Sequence, residues 1–302
     1  MTRAGMRILF VTSNRIGDAV LSTGLLDHLI RSHPDARFTV ACGPDAAGLF
    51  THMPQLDRLI PFEKRRRFLH WPWLWSQVAR TRWDLVVDIR GSVLAWMLWN
   101  RRRAIMRRSR GHKTAQIADI MRVTPVPLPV AWTGPAERAQ ARATMPRAPV
   151  IVLGPTANWD GKLWPPGRFA DLFERIRAIY PTAVPAVLAG PGAREAELAA
   201  PVLAALPGAI DLRGRLTLPE ATAWLERAAL FVGNDSGLMH LAAAAGAPTL
   251  GLFGPTPAAE YSPAGRRTNF VVAPAPGRME DLTVDQAFAA AMAVMTLDIP
   301  TA

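Results

Sequence analysis

Short apolar runs alternate with helical patterns along this 302-residue chain, an order that few folds accommodate. Residues 7–13 and 84–89 are apolar without a two-residue alternation, as strands buried on both faces are, and such strands belong to parallel sheets covered by helices. Residues 37–42 form another strand, closed by Gly43-Pro44, and a helical pattern at 19–32 stops at His33-Pro34. Beyond residue 149 the alternation resumes. Strands are predicted at 150–153, 184–189, 209–212, 230–232 and 249–253, with helices at 166–179, 194–206, 219–228 and 237–245. This is the pattern of an α/β doubly wound fold, whose ligands bind at the carboxyl ends of the strands.

The length suggests two domains. Six prolines and one glycine fall within 123–149, which reads as a linker and divides the chain into 1–148 and 149–302. A last helical pattern at 284–295 has no strand after it, which leaves it free to pack back on the first domain. With 50% hydrophobic and 20% charged residues, the composition is that of a folded globular chain rather than a disordered one. The single cysteine, Cys42, excludes an internal disulfide and any multi-cysteine metal site, so a reducing, cytoplasmic setting fits. The N-terminal apolar run passes straight into Asn14 and Arg15, unlike a signal peptide. The longest apolar stretch, 238–253, is broken by Gly246, Pro248 and Gly251, short of the ~20 residues that span a bilayer.

Charge is unevenly placed. Residues 1–148 hold 24 basic and 10 acidic side chains, a charge of +14, whereas the remainder holds 11 and 14, a charge of −3. The segment 61–113 alone contributes +11. Such an excess points to an anionic partner or to a solvated basic face.

Three loops at strand ends carry candidate chemistry. In the first, Ser13-Asn14-Arg15-Ile16-Gly17-Asp18, Asp18 reads either as a helix N-cap or as a base that takes a proton from an attacking hydroxyl. In the second, Val232-Gly233-Asn234-Asp235-Ser236-Gly237-Leu238-Met239-His240, Ser236 and Gly237 open a helix whose free N–H groups suit a phosphate, and His240 lies on the same face as Ser236. Capping by Asp235 or Ser236 and a core role for His240 remain the plain alternatives. The third runs from Leu153 through Asn158 and Lys162 to Pro165 and offers an ammonium where a diphosphate could lie. Gly190-Pro191-Gly192 and Gly254-Pro255-Thr256 follow strands and can floor a nucleotide pocket. The former lacks the third glycine of the dinucleotide fingerprint, since Glu195 stands there. One histidine and one aspartate in the second loop disfavour a zinc site.

Arg15-Ile16-Gly17-Asp18 behind an N-terminal strand, then Gly233 to His240, then Leu252-Phe253-Gly254-Pro255-Thr256, resemble in order and spacing glycosyltransferase family 9, the lipopolysaccharide heptosyltransferases. The resemblance implies a GT-B architecture: an acceptor-binding and a nucleotide-sugar-binding Rossmann-like domain facing each other across a cleft. It implies metal-independent, inverting transfer, typically from ADP-heptose to the lipopolysaccharide inner core, with no cofactor beyond the ADP-sugar donor. Matched by position, Asp18 becomes the general base and Lys162 the cation that stabilises the departing diphosphate. Asn158, Glu195, Asp235, Ser236, Gly237, His240 and Gly254 match the donor site, with Glu195 near the ribose and Asp235 directed to a sugar hydroxyl or a structural contact rather than to like-charged phosphate. Lys64, Arg65, Arg66 and Arg67 fall where family members hold the anionic groups of the acceptor.

The chain is short for that family, and Ala19-Val20-Leu21-Ser22-Thr23 after Asp18 is a general family pattern, so the donor sugar stays open. Trp71, Trp73 and Trp75 lie beside the basic run, and Trp96 and Trp99 precede Arg101-Arg102-Arg103. Tryptophan beside arginine suits a membrane interface or a glycolipid, although tryptophans more commonly fill cores. The expected partners are therefore a nucleotide sugar, an anionic glycolipid and the inner face of the inner membrane, without nucleic acid. The alternatives are transfer of another sugar, transfer to a protein, or a non-catalytic protein that binds nucleic acid or anionic glycan.

Overall fold

The structure, a computed structural model, describes residues 5–63, 69–107 and 109–295. It divides into two compact units, Met1–Trp132 and Thr133–Ala302. In unit 1 the elements run β1 (Arg7–Val11), α1 (Ile16–Ser32), β2 (Arg37–Cys42), β3 (Leu56–Pro61), α2 (His70–Val78), β4 (Trp83–Asp88), α3 (Leu94–Met97), β5 (Asn100–Ile105) and α4 (Lys113–Asp119). The five strands are parallel in the order β3-β2-β1-β4-β5. The chain winds outward from β1 to one edge, returns to the centre and winds to the other edge from β4. The switch point of this sheet thus lies between β1 and β4, where loops diverge and a crevice opens at the carboxyl ends.

Unit 2 runs α5 (Pro135–Thr144), β6 (Val150–Gly154), α6 (Pro166–Ile179), β7 (Val184–Val187), α7 (Ala193–Ala205), β8 (Ile210–Asp211), α8 (Leu218–Leu225), β9 (Leu230–Asn234), α9 (Gly237–Ala245), β10 (Thr249–Phe253), α10 (Ala258–Tyr261), β11 (Thr268–Val272) and α11 (Val284–Val294). Its six strands are parallel in the order β11-β10-β9-β6-β7-β8, with the switch point between β6 and β9. The central strands are wholly buried, as their unbroken apolar sequences require. Gly154 and Gly233 sit opposite each other there. A Cβ on either would come within 2.7 Å of the Phe231 ring, so the strand ends accept no larger residue.

The border between the units falls at Trp132/Thr133, inside the proline-rich stretch rather than at Ala148. That stretch is not all linker, because α5 packs on α8, where Arg138 and Thr133 bind Glu226 at 3.4 and 2.7 Å. The last helix, α11, is seated in unit 2. Its Ala287, Ala291 and Val294 join the core around Ile151, Leu250 and Leu252, and a Thr283–Gln286 capping box starts it. No helix among the described residues is long and apolar enough to cross a membrane.

Candidate active site

In unit 2 the loops behind β6 and β9 meet at the switch point. Asn234, the last residue of β9, is fully buried and ties them together: its amide donates to the Pro155 carbonyl at 2.7 Å and its oxygen accepts the Trp164 N–H at 3.2 Å. Trp164 is itself pinned by its indole N–H to the Leu282 carbonyl at 2.8 Å. This framework sets Lys162 against Asp235, Nζ to Oδ2 at 2.6 Å, with the two side chains only 13% and 7% exposed. The other Asp235 oxygen lies 4.0 Å from His240 Nε2, which is 5% exposed on the first turns of α9. Asp235 therefore stands between two nitrogen groups rather than in a cap. The Lys162 ammonium is held in place by a buried carboxylate, not waving in solvent as a surface lysine does.

Helix α9 starts at Gly237, as the pattern predicts, with Ser236 as N-cap residue in an extended backbone conformation. The Ser236 hydroxyl makes no capping bond, and it is buried without a hydrogen-bond partner among the described residues, as is the Thr256 hydroxyl. A buried hydroxyl left without a partner costs free energy unless a ligand or water completes it. The α9 N-terminus, with its unpaired N–H groups and positive dipole end, lies beside it.

The remaining donor-site candidates divide. Glu195 occupies the first turn of α7 and accepts the Gly190 N–H at 3.2 Å, so it braces the turn behind β7. Gly254 lies directly behind β10, where a Cβ would sit 2.7 Å from Met279 Sδ, so packing already demands glycine. Asn158 is exposed in the loop behind β6.

In unit 1 the structure corrects the capping reading of Asp18. Helix α1 begins earlier, at Ile16. Arg15 is the N-cap residue, no side chain caps the helix, and Asp18 lies within the first turn. Among the described residues the carboxylate accepts one hydrogen bond, from the Ser13 hydroxyl at 3.4 Å, and Ser13 in turn accepts the Arg15 N–H at 3.2 Å. Asp18 is partly exposed at the carboxyl end of β1, which leaves it able to accept a proton. The loop before it is clamped: Gly43 donates its N–H to Ser13 at 3.2 Å, and a Cβ there would strike the Asn14 backbone at 2.5 Å. On its other side Arg90 Nη1 donates to Asn14 Oδ1 at 2.7 Å. Arg90, absent from the sequence-level candidates, comes from the loop behind β4. Its signal was available as an arginine directly after a buried strand. Lys64, Arg65, Arg66 and Arg67 lie outside the described residues.

The tryptophans separate as well. Trp71 and Trp73 pack against the core beneath β4, whereas Trp96, Met97 and Trp99 are 62%, 61% and 67% exposed, beside exposed Val93. Arg103 stacks on Trp96 at 3.8 Å and Arg82 on Trp99 at 4.6 Å. The Trp75 indole joins this surface by donating to the Met97 carbonyl at 3.2 Å.

Two doubly wound parallel sheets define the class as GT-B. A solved structure described as E. coli ADP-heptose lps heptosyltransferase II superposes with a TM-score of 0.79, at 20% identity over 96% of this chain and 98% of that one. A sequence model of glycosyltransferase family 9 (heptosyltransferase) matches residues 123–289, and the chain belongs to that family. It is therefore a glycosyltransferase. Lipopolysaccharide heptosyltransferase 3 of Escherichia coli is 23% identical over 80% of this chain and 81% of its own length. Lipopolysaccharide heptosyltransferase 1 of Pseudomonas aeruginosa is 29% identical over 83% and 79%.

Proposed function

We propose that this enzyme transfers heptose from ADP-heptose to the inner core of lipopolysaccharide, with inversion at the anomeric carbon and without a metal ion. The observation that carries the reading is the buried Lys162–Asp235 pair, held between the β6 and β9 loops beside the α9 N-terminus. A nucleotide diphosphate brought there meets an ammonium, the α9 N–H groups and the Ser236 hydroxyl, which has no partner among the described residues. Together these donors supply the charge stabilisation that a departing ADP needs, a task otherwise given to a divalent cation. As the diphosphate draws on Lys162, Asp235 becomes free to accept a heptose hydroxyl. His240, Gly237, Asn158 and Gly254 complete the donor surface, and Glu195 serves the ribose.

Asp18 takes the proton of the acceptor hydroxyl. The new bond from that oxygen to the anomeric carbon forms on the face opposite the bond to ADP, which breaks, and the configuration inverts. Lys64, Arg65, Arg66 and Arg67 hold anionic groups of the acceptor. The enzyme works on the cytoplasmic face of the inner membrane as a peripheral protein. Trp96, Met97 and Trp99 enter the interfacial layer, and Arg82, Arg101, Arg102 and Arg103 face anionic headgroups.

The test is transfer from ADP-heptose to a Kdo-bearing acceptor in the presence of EDTA. The expected product is heptosylated, with anomeric configuration opposite to that of the donor. Transfer from a different nucleotide sugar alone would discard heptose, and a strict requirement for added magnesium would discard the role given to Lys162.

A further inference from the structure

Unit 1 carries a second cation at a switch point, and among the described residues no acid is in ion-pair contact with it. Strand β4 ends at Asp88, whose buried carboxylate is spent on the turn that follows: it accepts the backbone N–H groups of Arg90 and Ser92, each at 2.9 Å, and the Ser92 hydroxyl. Asp88 is thus not in ion-pair contact with the Arg90 guanidinium. Among the described residues that guanidinium makes one hydrogen bond, to Asn14 at 2.7 Å, and no ion pair. Its Cζ lies 4.9 Å from the centre of the Trp71 ring and 5.2 Å from that of Phe62.

A guanidinium offers five N–H donors, of which the Asn14 contact uses one. Removal from water holds the Arg90 pKa below its usual value, with the nearby Asp88 charge only partly opposing the shift. A half-buried cation whose one hydrogen-bond acceptor among the described residues is a neutral amide is costly, and such a group is most useful where a ligand brings a negative charge into contact with it. Holding Asn14 needs only one donor, which a glutamine or lysine could supply. The planar fork and its aromatic bed suit the two oxygens of a carboxylate or phosphate. The position agrees: Arg90 lies at the carboxyl edge of the sheet, tied to the loop between β1 and Asp18.

We propose that Arg90 binds an anionic group of the acceptor, a carboxylate or a phosphate, and through Asn14 couples that group to the loop bearing Asp18. This rests on the acceptor being an anionic saccharide, as in the proposed function. Arg90→Gln and Arg90→Lys in the full-length enzyme test it, with three acceptors: intact, dephosphorylated, and carboxyl-reduced. Arg90→Gln should raise KM for the intact acceptor about 10- to 100-fold, as loss of a charge-assisted bidentate contact does, and leave ADP affinity unchanged. On the one truncated acceptor that lacks the recognised group, wild type and variant should become alike, which names the source of the anion. Arg90→Lys should fall between, because it keeps the charge and loses the fork.

A variant penalty of equal size on all three acceptors would overturn the site, because a merely structural arginine acts without regard to the anion. The second readout is thermal stabilisation by inorganic phosphate and by acetate. If wild type binds ADP but uses none of these acceptors, an anion-induced stabilisation lost in Arg90→Gln keeps the site and discards the acceptor class. An equal stabilisation of both proteins under those conditions discards the site.

Discussion

The two switch-point crevices share a topology and differ in how their cations are neutralised. In unit 2 the loop behind the first strand presents Lys162, and the loop across the switch presents Asp235, an acid to match it at 2.6 Å. In unit 1 the loop across the switch presents Arg90, and the first loop answers with the neutral Asn14 at 2.7 Å. In one crevice the cation is in ion-pair contact with an acid, and in the other the nearby acid, Asp88, is turned to backbone and hydroxyl donors. The same contrast runs through the sequence, with +14 in the first 148 residues and −3 in the rest. Under the proposed function each half takes an anion, and the second exchanges one anion for another, which would favour a diphosphate over weaker competitors.

Substitutions can break this contrast, beginning with the largest effect. Asp18→Asn should lower kcat by about 10²- to 10⁴-fold, the usual worth of a general base, while ADP binding persists in calorimetry. A variant within threefold of wild type would remove Asp18 from the chemistry. Lys162→Ala should lower kcat by about 10²- to 10³-fold through lost leaving-group stabilisation, and it should also weaken ADP. Unchanged single-turnover rates would show that the lysine serves structure only. Asp235→Asn makes unit 2 resemble unit 1 by giving its cation a neutral partner. ADP affinity should hold or rise, while kcat/KM for ADP-heptose falls about tenfold, the worth of one hydroxyl contact to a charged group. A parallel loss of ADP and ADP-heptose affinity would contradict the exchange of partners at Lys162. The smallest effect belongs to the surface: Trp96→Ser with Trp99→Ser should reduce co-sedimentation with anionic vesicles several-fold and spare turnover of a soluble, deacylated acceptor. Undiminished vesicle binding would move the membrane contact elsewhere.

Much of the fold was legible in the sequence because central strands of a parallel sheet must be apolar on both faces. β1, β2, β4, β6, β7, β9 and β10 announced themselves in this way. The strands that escaped, β3, β5 and β11, are all edge strands. Leu56–Pro61 contains Asp57 and Arg58, and Asn100–Ile105 carries three arginines in a row. An edge is partly solvated and is often guarded by charge, so no apolar run marks β3 or β5. Helix α5 hid for a related reason: within a proline-rich stretch, its Pro135 serves as a first-turn residue rather than as a breaker.

At the site, the β9–α9 loop was readable because a strand, a small-residue turn and a helix start follow in order. The Lys162–Asp235 contact was not, since 73 residues separate the partners and only the β6–β9 pairing brings them together. Asp18 was read as opening helix α1, which instead begins at Ile16, because Arg15 is an N-cap residue without a capping side chain. The tryptophans could not be sorted at all from sequence. Of those on α2, Trp71 and Trp73 pack against the core and Trp75 is exposed, while Trp96 lies in, and Trp99 follows, a four-residue helix that buries Leu94 and Ala95 instead.

The most direct test of the central claim is calorimetric titration of the purified protein with ADP, GDP and UDP, each with and without magnesium, at moderate salt. The account predicts selective binding of ADP with the same affinity in either condition, because Lys162 and the α9 N-terminus supply the charge. Preference for GDP or UDP, or ADP binding that appears only with magnesium, would contradict it.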